Sequence, residues 1–192
     1  MRIMKIIFCT GNKNKFEEVK KIFEEYNVSA KLVRKNVKIC EIQSESLKEI
    51  SRVKAISAFE KLHKPLFVED AGLFIKALNG FPGVYSSYVF KTIGCKGLLT
   101  LLQNEKDRSA YFKAVVTFTD GKILKSFSGI CKGSIAKKER GNAGFGFDPI
   151  FIPAGYKQTF AENLELKNKL SHRKMAVERL VKFLKNYFKQ VK

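Results

Sequence analysis

Residues 5–26 read KIIFCTGNKNKFEEVKKIFEEY. The first six residues are apolar and rich in β-formers, which is typical of a buried strand. A polar loop follows, and apolar residues then recur at helical spacing on one face, namely Phe16, Val19, Ile22, Phe23 and Tyr26. Asn14, with Glu17 three residues later, is predicted to cap the helix. A buried strand leading directly into an amphipathic helix indicates an α/β fold.

The same alternation continues along the chain. Residues 31–39 are predicted to form a second strand, and Ser46 with Glu49 opens a helix through about Leu62. PLFVE, ending at Glu69, is predicted to be a short buried strand ended by Asp-Ala-Gly. Asp120-Gly121 then predicts a hairpin between strands 110–119 and 122–130. These elements predict a mixed sheet in which antiparallel hairpins extend a parallel core.

Length and composition limit the classes of protein that fit. The chain is 45% hydrophobic, and its length, residues 1–192, suits one domain or two interleaved lobes. The apolar runs are too short to span a bilayer, and no signal peptide pattern is present. Four scattered cysteines show no zinc spacing and are expected to be buried thiols. We therefore expect a cytoplasmic protein without a membrane partner.

The chain is strongly basic, with 37 Lys and Arg against 18 Asp and Glu and a net charge of +19. Such a charge indicates an anionic partner, either a nucleic acid, a membrane surface or a phosphorylated small molecule. The basic residues are spread along the whole chain, so most of them are interpreted as solvated lysine faces. A few could line a phosphate site.

The loop after the first strand is a candidate phosphate site. Its residues are Thr10, Gly11, Asn12, Lys13, Asn14 and Lys15. Backbone N–H groups at the start of a helix favour anions, and Lys15 adds a positive charge. The spacing of a P-loop is missing. An ordinary polar connection between strand and helix is the alternative.

Acidic residues at the end of a strand are a candidate metal site. Glu69 and Asp70 are expected at an exposed strand end, where Glu41 could reach the same edge. Mg²⁺ takes oxygen ligands and needs only one or two carboxylates beside substrate phosphates. A solvated acidic turn is the alternative.

Two further segments carry candidate binding groups, the first with aromatic rings and the second with charges and hydrogen-bonding side chains. In the glycine-rich segment Gly144–Pro149, Phe145 or Phe147 could stack on a flat ring, and Asp148 could accept hydrogen bonds from its edge. A tight turn with two core aromatics explains this segment equally well. The second segment precedes or begins the last helix, and offers Lys167, Ser171, His172 and Arg173.

Five motifs together resemble the inosine triphosphate pyrophosphatase family, also called the Ham1 family. They are TGNKNK at 10–15, VEDAG at 68–72, ALNGFPGVYS at 77–86, GFGFDPIF at 144–151 and SHRKMA at 171–176. Their order and spacing extend over nearly the whole chain. The resemblance implies an α/β fold with a long twisted mixed β-sheet flanked by helices, two lobes with a central cleft, and a homodimer.

The resemblance also implies a reaction and residue roles. The family cleaves ITP, dITP and XTP between the α- and β-phosphates and requires Mg²⁺, which removes non-standard nucleotides from the pool. On this chain the motif 10–15 with Lys54 would hold the triphosphate, and Glu41, Glu69 and Asp70 the metal. Asp70 would accept the proton and act with Lys54 in catalysis. The base would meet a further set, namely Phe145, Gly146, Phe147, Asp148, Lys167, His172 and Arg173. Ala71 departs from the Ser or Thr of many relatives, so a hydroxyl contact to substrate is absent there.

Three alternatives remain at this point. A related nucleotide pyrophosphatase of the Maf-like group would share the fold with another base preference, but GFGFDP and SHR favour purines. A nucleic-acid-binding protein would use the net charge, yet no RNP, helix-turn-helix or zinc-finger pattern is present. A nucleotide-binding protein without activity is disfavoured because the acids and lysines are all present. We therefore expect a purine nucleoside triphosphate as the partner and no specific nucleic acid.

Overall fold

The structure is a computed structural model that describes residues 4–190. Within these residues the strands are β1 Met4–Cys9, β2 Ala30–Lys35, β3 Leu66–Ile75, β4 Pro82–Gly83, β5 Ser109–Thr119, β6 Leu124–Ile135 and β7 Phe151–Pro153. The helices are α1 Lys13–Glu25, α2 Leu47–Leu62, α3 Ser86–Thr92, α4 Gly94–Leu101, α5 Leu164–Leu170 and α6 His172–Gln190. The predicted domain bounds, 1–192, extend beyond the described residues at both ends.

The strands form one mixed sheet, as the sequence predicts. Its order is β2-β1-β3-β5-β6-β7, with β4 paired to β3. β1 is parallel to β2 and β3, whereas β3 with β4 and β6 with β7 are antiparallel. β5 and β6 are neighbours joined by only four residues, which permits an antiparallel hairpin and no crossover. The predicted α/β class with a mixed sheet and flanking helices is confirmed.

The first two long helices begin at polar caps. For α1 the cap is Asn12, whose side chain accepts the Lys15 N–H at 3.2 Å, so the prediction of Asn14 was wrong. Asn12 retains extended backbone angles, which a cap requires, and Asn14 already lies in the first turn. For α2 the predicted cap, Ser46, is confirmed, and its hydroxyl accepts the Glu49 N–H at 3.3 Å.

β3 is longer than the sequence indicates. It continues through Asp70, Ala71 and Gly72 to Ile75, so the prediction that Asp-Ala-Gly ends the strand was wrong. The reason is a tertiary contact of Gly72, because a Cβ there would lie 2.2 Å from the carbonyl oxygen of Gly83 in β4. Glycine therefore allows β4 to pair with β3. The two acids lie within the strand, with Glu69 buried and Asp70 partly buried.

The chain divides into two compact units. Unit 1 consists of the chain up to Asp70, Ala114–Gly129 and the chain from Arg173 onward; unit 2 consists of Ala71–Lys113 and Ile130–His172. In unit 1, Phe8 stacks on Phe67 with ring centroids 4.6 Å apart. In unit 2, Phe112, Phe151 and Phe160 pack in a core cluster with Leu73 and Leu98. Each unit therefore has its own apolar core.

Three of the four cysteines are buried thiols, as predicted. Cys9, Cys95 and Cys131 are buried, but Cys40 is exposed, since it lies in the irregular segment that precedes α2. No helix of residues 4–190 combines the length and the apolar character that a membrane crossing needs.

Candidate active site

Unit 1 contains the predicted phosphate loop. Thr10 follows β1, and its hydroxyl accepts the Asn12 N–H at 3.1 Å. Gly11, Asn12, Lys13 and Asn14 are exposed, and Lys15 is partly buried on the first turn of α1. The loop therefore presents N–H groups at the start of a 13-residue helix together with exposed amide side chains and a lysine.

A chain of buried opposite charges links α1, β3 and α6 within unit 1. The ammonium of Lys15 lies 2.6 Å from one oxygen of Glu69, whose other oxygen receives the Arg173 guanidinium at 3.0 Å. Arg173 also binds Glu18 of α1 at 2.6 Å. The side chains of Glu69 and Arg173 are at most 3% exposed. Burial alone would lower the pKa of Arg173, but Glu69 and Glu18 together raise it above its ordinary value.

Lys54 joins the two other predicted acids. Its ammonium, one turn after Ser51 on α2, lies 2.5 Å from Oδ1 of Asp70 and 3.1 Å from Glu41. Burial raises the pKa of Asp70, and Lys54 offsets this only in part. Burial alone would lower the pKa of Lys54, but the carboxylates of Asp70 and Glu41 outweigh that effect and raise it. Asp70 is therefore a carboxylate held by one neighbouring cation in a partly desolvated position.

The three predicted metal ligands all contact cationic side chains. Glu41 and Asp70 share Lys54, whereas Glu69 lies between Lys15 and Arg173. Across the described part of the chain, residues 4–190, no three His, Cys, Asp or Glu side chains are grouped as a metal centre. One observation fits a cation, because Oδ2 of Asp70 is a buried acceptor with no hydrogen-bond partner among those residues. The donor set, all carboxylate oxygens, is the one that Mg²⁺ prefers.

Unit 2 brings together three of the residues predicted to contact a base. Oδ2 of Asp148 accepts the Phe145 N–H at 2.7 Å and receives the Lys167 ammonium at 2.5 Å. The same ammonium lies 4.1 Å from the centroid of the Phe145 ring. Asp148 and Lys167 are buried, and Phe145 is partly buried. Lys167 belongs to α5, a helix that the sequence analysis did not predict.

Three other residues of unit 2 that are predicted to contact a base lie outside the contacts between Phe145, Asp148 and Lys167. They are Phe147, Gly146 and His172. Phe147 is buried in the core and contacts Phe90 edge-to-face at 5.3 Å, which leaves Phe145 as the aromatic that could stack on a base. Gly146 adopts a φ of 65°, and its carbonyl oxygen lies 3.6 Å from the thiol of Cys95. The ring of buried His172 stacks on Phe112 at 4.6 Å. Ala71, partly buried, directly follows Asp70 on β3.

The sequence matches the model of the Ham1 family over residues 6–183. The chain belongs to the Ham1 family. The resemblance inferred from the five motifs is therefore confirmed.

Full-length relatives support the same assignment. A dITP/XTP pyrophosphatase of Saccharolobus solfataricus is 53% identical over 187 residues, which are 97% of this chain and 96% of the relative. A protein of the same name from Thermococcus kodakarensis is 46% identical over 97% of this chain and 100% of the relative. A Ham1 protein structure from Coxiella burnetii superimposes with a TM-score of 0.85 at 29% identity, covering 95% of this chain and 99% of that one. The Ham1 protein of Staphylococcus aureus gives 0.82 at 30% identity, with the same coverage.

Sequence reasoning missed one residue of the buried charge chain in unit 1. Glu18 was not singled out, although it binds the buried Arg173. Its only signal in the sequence is its position three residues after Lys15, which places both side chains on one face of α1. The partner, 155 positions away in the sequence, is visible only in the structure.

Proposed function

We propose that this chain hydrolyses non-canonical purine nucleoside triphosphates, namely XTP, dITP and ITP, to the monophosphate and pyrophosphate with Mg²⁺. It is an enzyme of the nucleoside-triphosphate pyrophosphatase class, to which its relatives named dITP/XTP pyrophosphatase belong. Such an enzyme would remove non-standard nucleotides from the cellular pool. A homodimer and a cytoplasmic location remain predictions from the family resemblance and the sequence.

One observation carries the proposal. A partly desolvated Asp70 has one oxygen on Lys54 and the other buried without a hydrogen-bond partner among residues 4–190. Isolated buried acceptors are costly, so an acceptor kept without a donor is suited to a cation or to a proton from the attacking water. The ammonium of Lys15 lies 2.6 Å from the carboxylate of Glu69, the residue before Asp70, and would neutralise phosphate charge there.

Asp70 is proposed as the proton acceptor. The attacking water would form the new bond to the α-phosphorus, lose its proton to Asp70, and displace pyrophosphate as the bond between the α-phosphorus and the bridging oxygen breaks. A raised carboxylate pKa makes Asp70 a stronger base than an exposed aspartate. Lys54 would keep the carboxylate oriented and partly ionised through its 2.5 Å contact.

Glu41, Glu69 and Asp70 would hold the metal. Mg²⁺ supplies charge neutralisation and polarisation of the phosphoryl group when it is bound. Lys15, Lys54 and the N–H groups of residues 10–15 would bind the phosphates, since several negative charges require several donors.

Base selection is assigned to Phe145, Asp148, Lys167, His172 and Arg173. Phe145 would stack on the purine, with its loop held by Asp148 through the Phe145 N–H. A donor directed at the 6-position would donate a hydrogen bond to a keto oxygen, whereas the amino group of adenine cannot accept it. Leaving a buried donor unpaired costs about 1–3 kcal/mol, which is sufficient for roughly tenfold to hundredfold discrimination.

The test is pyrophosphate release from XTP, dITP, ITP, GTP and ATP with Mg²⁺. We expect turnover of the first three to exceed that of ATP, because the donor at the 6-position would face the amino group of adenine. Guanine shares the 6-keto oxygen, so slower turnover of GTP is expected from the family resemblance alone. Equal rates on all five would refute the specificity, and no release from any would refute the activity.

The variant Asp70→Asn tests the assigned proton acceptor. We expect its turnover to fall by at least about a hundredfold, in line with the 10²–10⁴-fold that general-base catalysis contributes. Asp107→Asn is the matched control, because Asp107 lies in unit 2 and pairs with Lys76 at the surface. Wild-type activity in Asp70→Asn would remove Asp70 from the mechanism.

A further inference from the structure

The exposed face of α6 carries only basic and amide side chains. Arg179, Lys182, Lys185, Asn186 and Lys189 are exposed, and a turn of 100° per residue places them on one side of the helix. Lys125 of β6 is exposed beside them, with its ammonium 4.4 Å from the ring centroid of Phe183 on α6. We call Arg179, Lys182, Lys185, Lys189 and Lys125 the α6 basic face.

The cations of the α6 basic face are not neutralised by acids. Among residues 4–190, none of the five forms an ion pair, although Lys185 lies 5.8 Å from the Tyr26 ring. The acid nearest in sequence, Glu178, is partly buried; it accepts the Tyr26 hydroxyl at 2.8 Å and pairs with Lys174 at 3.4 Å. The α6 basic face therefore presents five surface cations that no acid among the described residues neutralises.

The geometry of the face suits a repeating anion. The ten steps from Arg179 to Lys189 span about 15 Å of helix at 1.5 Å per residue. One DNA strand rises about 3.4 Å per phosphate, so roughly four phosphates pass over this length. The Arg179 guanidinium is already ordered by the Ser128 carbonyl oxygen at 2.6 Å, which lowers the entropy cost of binding.

The same helix does not suit a membrane surface. An interfacial helix must insert its apolar face into the lipid. Five apolar residues of α6 are instead buried in unit 1, namely Ala176, Val177, Leu180, Val181 and Leu184, and Phe183 and Phe188 are partly buried. The exposed residues include no large apolar side chain to replace them.

We propose that the α6 basic face is a docking surface for the phosphate backbone of nucleic acid, bound without reading the bases. Lysines and an arginine on one helix face neutralise phosphates and release counterions, a contribution that is independent of sequence. The surface is separate from the residues assigned to hydrolysis, so nucleic acid binding and turnover are expected to respond to different substitutions.

The experiment measures fluorescence anisotropy of a fluorescein-labelled 20-base-pair DNA at 50, 100 and 200 mM NaCl. With about four phosphate contacts, affinity should fall roughly a hundredfold from 50 to 200 mM salt. The triple variant Lys182→Glu, Lys185→Glu, Lys189→Glu should bind at least about tenfold more weakly, with a smaller salt slope, since it loses three contacts. Its XTP hydrolysis and circular dichroism should match the unmodified protein.

The matched control is Lys91→Glu, Lys96→Glu, Lys106→Glu, three exposed lysines of unit 2 that give the same change in net charge. It should retain the affinity for DNA to within a few-fold. Equal loss in both triple variants would overturn the assignment to α6, and so would undiminished binding in the α6 variant. Absence of DNA binding at 50 mM salt, or binding to phosphatidylserine vesicles instead of DNA, would also overturn it.

Discussion

Asp70 has two carboxylate oxygens in different surroundings. Oδ1 contacts the Lys54 ammonium, whereas Oδ2 is buried without a hydrogen-bond donor among residues 4–190. This asymmetry is what a proton acceptor requires, because one oxygen anchors the side chain and the other stays available. The role proposed for Lys54 is consequently to orient Asp70 and to stabilise negative charge.

Replacing Lys54 should impair turnover strongly. For Lys54→Ala we expect kcat/KM to fall by about a hundredfold, as is typical when a single positioned donor or charge is removed. Steady-state kinetics on XTP checks this value. Lys48→Ala is the control, since Lys48 is exposed on the first turn of the same helix. A loss of less than threefold in Lys54→Ala would contradict the role.

One of the four thiols should react quickly with a disulfide reagent, and the other three should react slowly. Burial raises the pKa of Cys9 and Cys131 to about 11 and that of Cys95 to about 12, whereas Cys40 is exposed. Only the thiolate reacts with a disulfide reagent, so one thiol should react quickly at pH 8 and three more after denaturation. Cys40→Ser should abolish the fast phase. A fast phase that corresponds to two or more thiols would contradict the burial of Cys9, Cys95 and Cys131.

At the scale of elements, α1, β3 and α6 are held together by charge as well as by packing. Lys15 and Glu18 project from one face of α1. Lys15 pairs with Glu69, Glu69 pairs with Arg173, and Arg173 pairs with Glu18. Lys174 and Glu25 form a second α6–α1 ion pair. Buried pairs such as Arg173 with Glu69 add little net stability, yet they penalise any arrangement that leaves one charge unmatched. These buried pairs therefore favour one alignment of the three elements.

Removing Glu18 should destabilise the protein. Glu18→Ala leaves a buried guanidinium with one carboxylate fewer, and we expect a loss of about 2–4 kcal/mol of unfolding free energy. Urea denaturation at pH 7 checks the value. Glu17→Ala, an exposed neighbour on α1, should change it by less than about 0.5 kcal/mol. Equal midpoints for the two variants would contradict a structural ion chain.

At the scale of the whole molecule, charge is the dominant property. A net charge of +19 on 192 residues destabilises the compact state by self-repulsion. Salt screens exposed charges strongly and buried pairs weakly. The buried contacts around Arg173 should therefore survive conditions that relieve the surface repulsion.

Moderate salt should stabilise the protein. We expect Tm to rise by several degrees between 20 and 300 mM NaCl, because about 1 kcal/mol corresponds to roughly 2–4 °C in a domain of this size. Differential scanning calorimetry at pH 7 measures this shift. The α6 triple variant, with a lower net charge, should show a smaller rise. A Tm that falls with salt would mean that exposed ion pairs outweigh the repulsion.

The sequence by itself determined the α/β class, the family and most candidate residues. Strand periodicity, helix periodicity and turn residues are local properties, so β1, α2 and the hairpin at Asp120-Gly121 could be located from them. The five motifs are local as well. The cap at Asn12 rather than Asn14 was missed because two nearby asparagines offer the same chemistry, and backbone angles select between them.

Only the tertiary structure decided where the charges lie and what they contact. Gly72 lets β4 pair with β3 at Leu73 and Phe74, and β3 therefore continues past the Asp-Ala-Gly sequence to Ile75. Likewise, Glu18 meets Arg173 across 155 positions of sequence, and Asp70 meets Lys54 between a strand and a helix. Local propensity contains no information about such pairs. Their geometry, and with it the pKa of Asp70, results from burial that exists only once the chain has folded.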